Sequence, residues 1–200
     1  MAIKFQYNKT SLQQLQKELK VRLNALPTLQ AKESALRLEV KKAKAEVTEI
    51  EERLEKNAKQ IAPTHRLWVE FPDRLISITD VSLDIKKIAG VKTPIFNDVK
   101  FEVERLSLFL QPWWIPSGLE LLKDIARLKI EKEVVLKKVD ILEYARKKTT
   151  QKVNLYEKVQ IPSYEEAILK IKRFLEDEEN LAKSSQKILK NKIAATEATA

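Results

Sequence analysis

Apolar residues in the first third of the chain recur at helical spacing. Between Leu36 and Ile61 the steps from one apolar residue to the next are three or four residues, and charged residues fill most positions between them. Such alternation is typical of a coiled coil, in which one stripe of each helix faces a partner helix. It predicts a long helix within residues 1–62, which Pro63 ends. The predicted seam comprises Leu36, Val40, Ala43, Val47, Ile50, Leu54 and Ile61.

The last segment, residues 117–200, carries a second pattern of the same kind. At 1.5 Å per residue the two helices would be roughly 80 Å and 110 Å long, too long to fold onto a globular core of their own. Each is expected to bury its stripe against the other, antiparallel because the chain must return. The predicted seam of the second helix comprises Leu128, Val135, Val139, Leu142 and Val153, with further apolar positions at Tyr156, Val159, Ala167, Ile171 and Phe174.

Pro27 and Pro162 interrupt these two patterns. An interior proline removes one backbone hydrogen bond and typically costs ~3 kcal/mol. Because the apolar spacing resumes within a few residues of Pro27, we expect a kink there rather than two separate helices. If Pro162 lies at a similar height, the two kinks would coincide.

Residues 63–116 differ in kind, since they hold five of the seven prolines and short alternating apolar runs. Runs within residues 76–85 and 99–103 flank the turn-prone residues 89–94, which predicts a β-hairpin over about residues 75–104 with a long turn. A phase slip between Thr79 and Asp80 predicts a bulge. Two strands alone are marginal in water, so the hairpin is expected to lean on the coiled coil or on a partner.

The aromatic residues Phe109, Trp113 and Trp114 lie in the most apolar short run of the chain, residues 109–115. Two interpretations are open. The run can pack under the base of the two helices, or it can form a docking surface, because adjacent tryptophans are costly to expose and are enriched at interface hot spots. The three residues are therefore candidates for partner docking.

The composition argues against an enzyme. The 200-residue chain has no cysteine, one histidine and two glycines. It therefore has no disulfide or thiol nucleophile, and little material for a metal site or a glycine-rich phosphate loop. Carboxylates are plentiful, but on long helices they are far more often solvated salt-bridge partners than acid–base pairs. We expect no catalytic residue, no cofactor and no metal.

A formal net charge of +9 favours an acidic partner surface. Because basic and acidic residues are interleaved, a solvated helical face is the simpler interpretation, with a protein partner and a polyanion as alternatives. A nucleic-acid binder would be expected to cluster its basic residues. The chain has no N-terminal signal stretch and no window of ~18 apolar residues, so we expect a soluble protein that reaches a membrane only through partners.

One motif in the last segment resembles a signature of the D-subunit family of V/A-type rotary ATPases. The resemblance extends over nearly the whole chain in the order helix, hairpin, helix, and Gly90 with Pro94 resembles the hairpin turn of the family. Tyr156 and Ser163 depart from the family pattern and indicate a divergent bacterial branch. The C-terminal motif comprises Thr150, Lys152, Val153, Asn154, Glu157, Ile161 and Pro162.

The resemblance implies a non-catalytic rotor shaft. In that family the coiled coil enters a hexamer of catalytic and non-catalytic subunits, while the hairpin end is bound by a small F-type subunit and by a funnel-shaped adaptor on the membrane ring. It further implies a place on the cytoplasmic face of the plasma membrane, with no nucleic-acid partner and no direct membrane insertion. The residues alone leave a structural coiled-coil scaffold as the alternative. Candidates to face the hexamer are Lys9, Lys17, Lys20, Arg22, Lys183, Lys187 and Lys190.

Overall fold

The computed structural model describes residues 4–72, 75–104 and 112–197, with side chains up to residue 194. It confirms the predicted mainly α fold, with two long helical segments and a two-stranded antiparallel hairpin between them. The elements are α1 (Lys9–Ile61), two 3-10 turns (Ala62–Thr64 and Leu67–Glu70), β1 (Ile76–Ile88), β2 (Val91–Val103), α2 (Ile115–Leu155), a π turn (Tyr156–Gln160) and α3 (Ile161–Glu197).

The chain divides into two compact units. The central unit is Lys32–Lys148, and the terminal unit combines the residues up to Ala31 with those from Thr149 onward. Both long helical segments therefore contribute to each unit.

Helix α1 begins at Lys9 because Asn8 caps it. The Asn8 Oδ1 atom accepts a hydrogen bond from the Ser11 N–H, 2.7 Å away, and so satisfies one of the backbone donors that have no partner in the first turn. The helix then continues through Pro27 to Ile61 as one element of 53 residues. As predicted, the proline does not divide it into two helices.

The C-terminal segment differs from the single α-helix expected. It begins at Ile115, two residues before the predicted start, and one π turn separates α2 from α3. In that turn the Ile161 N–H bonds to the carbonyl oxygen of Tyr156, five residues back. In an α-helix the ring of Pro162 would clash with the carbonyl four residues before it, that of Lys158, and the wider turn relieves that clash.

The hairpin pairs Ile76 with Val103 at its open end and Ile88 with Val91 at its closed end. The predicted long turn is wrong. Only Ala89 and Gly90 form the turn, and their φ angles of 48° and 79° are those of a two-residue turn with the twist that hairpins favour.

The strand register shows the expected bulge and one more. Thr79 has no partner across the ladder, as the phase slip predicts, and Asn97 has none in a second register shift. Pro94, expected in the turn, lies within β2 opposite Ile85. An extra residue bends a strand and increases its twist, so the two bulges let the hairpin curve.

In the central unit α1 and α2 run antiparallel. Ion pairs join Lys44 to Glu143 at 2.5 Å and Glu51 to Lys132 at 2.8 Å, so residue numbers rise along one helix as they fall along the other. The turn end of the hairpin packs on the helices, so the hairpin does lean on the helix pair. The buried cluster there is Leu36, Val40, Ala43, Val139 and Leu142, against which Ile88, Ala89 and Val91 pack.

A second cluster of the central unit joins the segment before β1 to the start of α2. The Trp114 ring lies 5.5 Å from the Trp68 ring and 6.1 Å from the Phe71 ring, measured between centroids. Leu75 and Ile115 complete the buried part. Aromatic pairs at these distances add to the stabilisation that burial provides.

In the terminal unit α1 packs antiparallel on α3. The Tyr164 hydroxyl donates to the Glu18 Oε2 atom, 2.5 Å away, and Arg22 Nε donates to Gln160 Oε1 at 2.8 Å. Before α1, the Tyr7 ring packs 4.8 Å from the ring of Phe174. The buried cluster is Leu15, Tyr164, Ala167, Ile168 and Ile171.

Candidate partner-binding surfaces

The described part of the chain holds no cluster of three or more His, Asp or Glu side chains that could bind a metal. Within the same residues, no helix is both long enough and apolar enough to cross a bilayer. The candidate sites for partners that the sequence predicts are surfaces.

The structure buries most of the predicted seam. Among the predicted residues, those that are half-buried are Val47, Leu54, Ile61, Leu128 and Val153. Those that are buried are Leu36, Val40, Ala43, Ile50, Val135, Val139 and Leu142.

The apolar pattern expected beyond Val153 is partly out of phase. Val159 and Phe174 are exposed, whereas Tyr164 and Ile168, which were not expected to face α1, are buried. At Val159 the π turn is the reason, because it adds one residue to a turn and so moves the buried face by one position. Ala167 and Ile171, beyond the turn, are buried. The five-residue step from Tyr156 to Ile161 is the sequence signal that could have revealed the π turn.

Six candidate lysines of the terminal unit, Lys9, Lys17, Lys20, Lys183, Lys187 and Lys190, lie on exposed positions. Lys183 pairs with Glu179 of its own helix at 2.8 Å. The register of the two helices brings Lys9 beside Glu179, so α3 continues past the start of α1. Every described side chain of α3 from residue 176 onward is exposed. These include the large apolar residues Leu181, Ile188, Leu189 and Ile193.

Arg22, the seventh candidate, is engaged within the terminal unit. Its guanidinium lies 4.3 Å from the centroid of the Tyr164 ring. It donates to the backbone carbonyl of Glu18 at 3.0 Å, pairs with the Glu18 carboxylate at 3.4 Å and bonds to Gln160. These contacts direct the side chain onto α3 and the π turn.

The pKa values of two ionisable groups in this contact, Glu18 and Tyr164, differ from their ordinary values. The hydrogen bond from the Tyr164 hydroxyl holds the pKa of Glu18 below its ordinary value, and the positive charge of Arg22 adds to the effect. Burial raises the pKa of Tyr164, and its hydrogen bond to Glu18 acts in the same direction. The carboxylate therefore stays ionised and the phenol neutral over a wide pH range.

The aromatic residues directly before α2 divide into a buried and an exposed part. Trp114 is buried, and its Nε1 atom has no hydrogen-bond partner among the described residues. Trp113 is 89% exposed, and Val69, next to the aromatic cluster, is 87% exposed. Phe109 lies outside the described residues. Exposed tryptophans are enriched at interface hot spots, which makes Trp113 a candidate contact for a partner.

The family model for the D subunit of ATP synthase matches residues 11–191, which span both helical segments and the hairpin. The chain belongs to the ATP synthase D-subunit family. It is 32% identical over 194 residues to the V-type ATP synthase D subunit of Borreliella burgdorferi, with 95% of each chain covered. The same protein of Chlamydia pneumoniae is 28% identical over 199 residues, covering 96% of this chain and 95% of the relative.

The residues that resemble a signature of the family surround the π turn. Thr150 and Val153 are half-buried and Lys152 is exposed on the last turns of α2, and Asn154 follows them, also exposed. Glu157 is exposed within the turn. Ile161, the first residue of α3, is buried, and Pro162, the next residue, is exposed. Of the two hairpin residues, Gly90 has one of the two positive φ angles of the turn, while Pro94 is a strand residue.

Proposed function

We propose that the chain is the non-catalytic central shaft of a V/A-type rotary ATPase, on the cytoplasmic face of the plasma membrane. It would transmit torque between the membrane ring and the catalytic hexamer during ATP synthesis or hydrolysis. The observation that carries the proposal is the match of residues 11–191 to the D-subunit family across helix, hairpin and helix. The partners would be the subunits of the hexamer, a small F-type subunit and a funnel-shaped adaptor on the ring.

The packing within each unit suits a shaft. Two antiparallel helices share a buried face, so twisting one against the other must break many dispersion contacts together. In the central unit the hairpin adds a third element to the same core. A shaft of this kind can bias each catalytic pocket through its orientation, and the nucleotide state of the pocket biases the shaft in return.

The exposed lysines of the terminal unit would supply the surface for the hexamer. Lys9, Lys17 and Lys20 of α1 and Lys187 and Lys190 of α3 are exposed. Exposed charges attract over a distance but bind weakly at any one position, which keeps the barriers to rotation low. Arg22 is not part of this surface in our proposal, because its contacts hold it against α3.

Trp113 would anchor the base of the central unit to the adaptor. A Trp113→Ala variant is expected to fold normally, because the side chain is 89% exposed. Loss of an interface tryptophan at a hot spot costs about 2 kcal/mol or more, which is roughly a 30-fold loss of affinity. Tyr144→Ala, which removes another exposed aromatic ring, is the matched control.

Pull-down of the tagged full-length chain from native membranes tests the assembly. ATPase subunits recovered in stoichiometric amount with the unsubstituted chain and the Tyr144 variant, and loss of the adaptor with the Trp113 variant, are the expected results. Absence of ATPase subunits from every sample would reject the rotor assignment. Normal recovery of the adaptor with Trp113→Ala would reject only the anchor.

Charge reversal tests the hexamer-facing surface. Changing Lys9, Lys17 and Lys20 to Glu is expected to lower the number of ions pumped per ATP hydrolysed without loss of helicity. The control reverses three exposed lysines of the central unit, Lys41, Lys56 and Lys147, and is expected to keep the coupling ratio. Equal coupling in both variants would remove these lysines from the contact.

A further inference from the structure

The buried face of the C-terminal segment changes phase at the π turn. The residues of that face step by four and three up to Tyr156, by five to Ile161, and then again by three and four. A heptad seam requires steps of three and four, so the step of five marks one surplus residue. In an α-helix one residue corresponds to about 100° of rotation. The face comprises Thr149, Val153, Tyr156, Ile161, Tyr164, Ile168 and Ile171.

The packing after the turn prevents the surplus residue from moving toward the C-terminus. Ile161, Tyr164 and Ile171 are buried, the last completely, and a shift in that direction would rotate them away from α1. Pro162 has no N–H to enter a rearranged hydrogen-bond ladder. The Ser163 hydroxyl also donates to the Val159 carbonyl at 2.6 Å, so that carbonyl already has a donor.

The N-terminal side of the turn is held less firmly. Val153 and Tyr156 are only half-buried. If the surplus residue moved toward the N-terminus past Val153, the section between would rotate by one residue. Asn154 and Glu157, both exposed in this structure, would then occupy the positions of Val153 and Tyr156.

Arg22 could bind a different partner in the observed arrangement of the helix and in the rotated one. Its guanidinium is fixed on α1 by the Glu18 backbone and carboxylate and by the Tyr164 ring, and its Nε reaches across to Gln160. In the rotated setting Glu157 would face α1 about one turn from Gln160. A carboxylate accepts a hydrogen bond from a guanidinium more strongly than an amide does, so Arg22 could exchange Gln160 for Glu157.

We propose that Tyr156–Gln160 is a register joint with two settings. In the setting of this structure Val153 and Tyr156 face α1 and Arg22 holds Gln160. In the other setting the helix before the turn is rotated by one residue and Arg22 holds Glu157. Apolar burial favours the first setting and the charged pair favours the second, so a small external bias can change the balance. The inference goes beyond the proposed function and does not depend on it.

Distance measurements between two spin labels test the joint in the purified full-length chain. The chain has no native cysteine, so Leu155→Cys and Thr28→Cys, both at exposed positions and at similar height on facing helices, can be labelled without background. Rotation by about 100° at a side-chain radius of 5–6 Å moves the label at residue 155 by roughly 8 Å. One distance is expected for the parent chain, and a second, resolved distance after Gln160→Ala.

Two additional variants make the test specific. Glu157→Gln in the Gln160→Ala background removes the charge of the alternative partner and is expected to restore the single distance. Deleting Lys158 in that background removes the surplus residue and is expected to do the same. Circular dichroism establishes that each variant keeps its helicity. If the deletion prevents folding, the Glu157→Gln comparison alone decides.

A single unchanged distance after Gln160→Ala would overturn the proposal. A second distance that persists after Glu157→Gln or after deletion of Lys158 would also overturn it. Such a distance would not depend on the charged pair or on the surplus residue. Because no other ATPase component is needed, failure of the joint and failure of the rotor assignment are distinguishable.

Discussion

Leu36 and Leu142 have no solvent-exposed surface and belong to the same cluster between α1 and α2. Leu36→Ala is expected to lower the free energy of unfolding by about 2–5 kcal/mol, through lost burial and the cavity left behind. Urea titration followed by circular dichroism measures the change. Leu38→Ala is the matched control, because Leu38 is 61% exposed and should cost under about 1 kcal/mol. Equal losses would contradict the assigned seam.

Glu18→Gln tests the polar contact between α1 and α3. Because the folded-state pKa of Glu18 is lowered, the contact stabilises the fold above the ordinary pKa, and this contribution is lost as pH falls through the folded-state value. The substitution should lower the free energy of unfolding by about 1 kcal/mol near neutral pH. Below the folded-state pKa the parent and variant chains should be nearly equal.

Urea titrations at the two pH values measure this difference. Glu55→Gln is the control, because it removes an exposed ion pair with Lys59 on one helix and should change stability little at either pH. A Glu18→Gln effect of the same size in acid would show that the carboxylate charge is not its cause.

At the scale of the element, the two glycines of the chain resist substitution for different reasons. A Cβ on Gly90 would meet only Lys32 Nζ, at 3.7 Å, so Gly90→Ala should cost about 1–2 kcal/mol from its positive φ alone. A Cβ on Gly118 would lie 2.9 Å from a Trp114 ring atom, so Gly118→Ala should disturb the aromatic cluster.

Near-ultraviolet circular dichroism separates the two cases. Gly118→Ala should change the tryptophan signal, because its added methyl group displaces the Trp114 ring. Gly90→Ala should lower stability and leave the tryptophan signal unchanged. A changed tryptophan signal in Gly90→Ala together with an unchanged signal in Gly118→Ala would contradict the described packing.

The elements also show how far apolar spacing can be extrapolated. From Leu36 to Leu142 the predicted seam positions are buried or half-buried, because regular α-helices preserve the phase that the sequence carries. Beyond Val153 the extrapolation fails at Val159, because that residue lies in the π turn, and at Phe174, whereas Ala167 and Ile171 are buried. The prediction of a long hairpin turn was wrong for a similar local reason, since Ala89 takes a positive φ that the composition does not indicate.

At the scale of the whole molecule, the order of elements is the most robust feature. Helix, hairpin and helix follow from apolar periodicity, and the family match covers the same stretch. The distribution of charge is less informative, because interleaved lysines and glutamates look alike whether they pair within a helix, pair across helices or face a partner. Lys138 reaches Glu46 across two helices, whereas Lys183 pairs on its own helix.

Apolar periodicity and local motifs were sufficient to predict the two long helices, the hairpin with its first bulge and the family, since neighbouring residues carry these signals. The role of Arg22 and the burial of Trp114 beside exposed Trp113 follow only from the packing of the folded chain. Each depends on which residue of a distant segment lies opposite. That register is set by packing summed over a whole interface, which no local pattern contains.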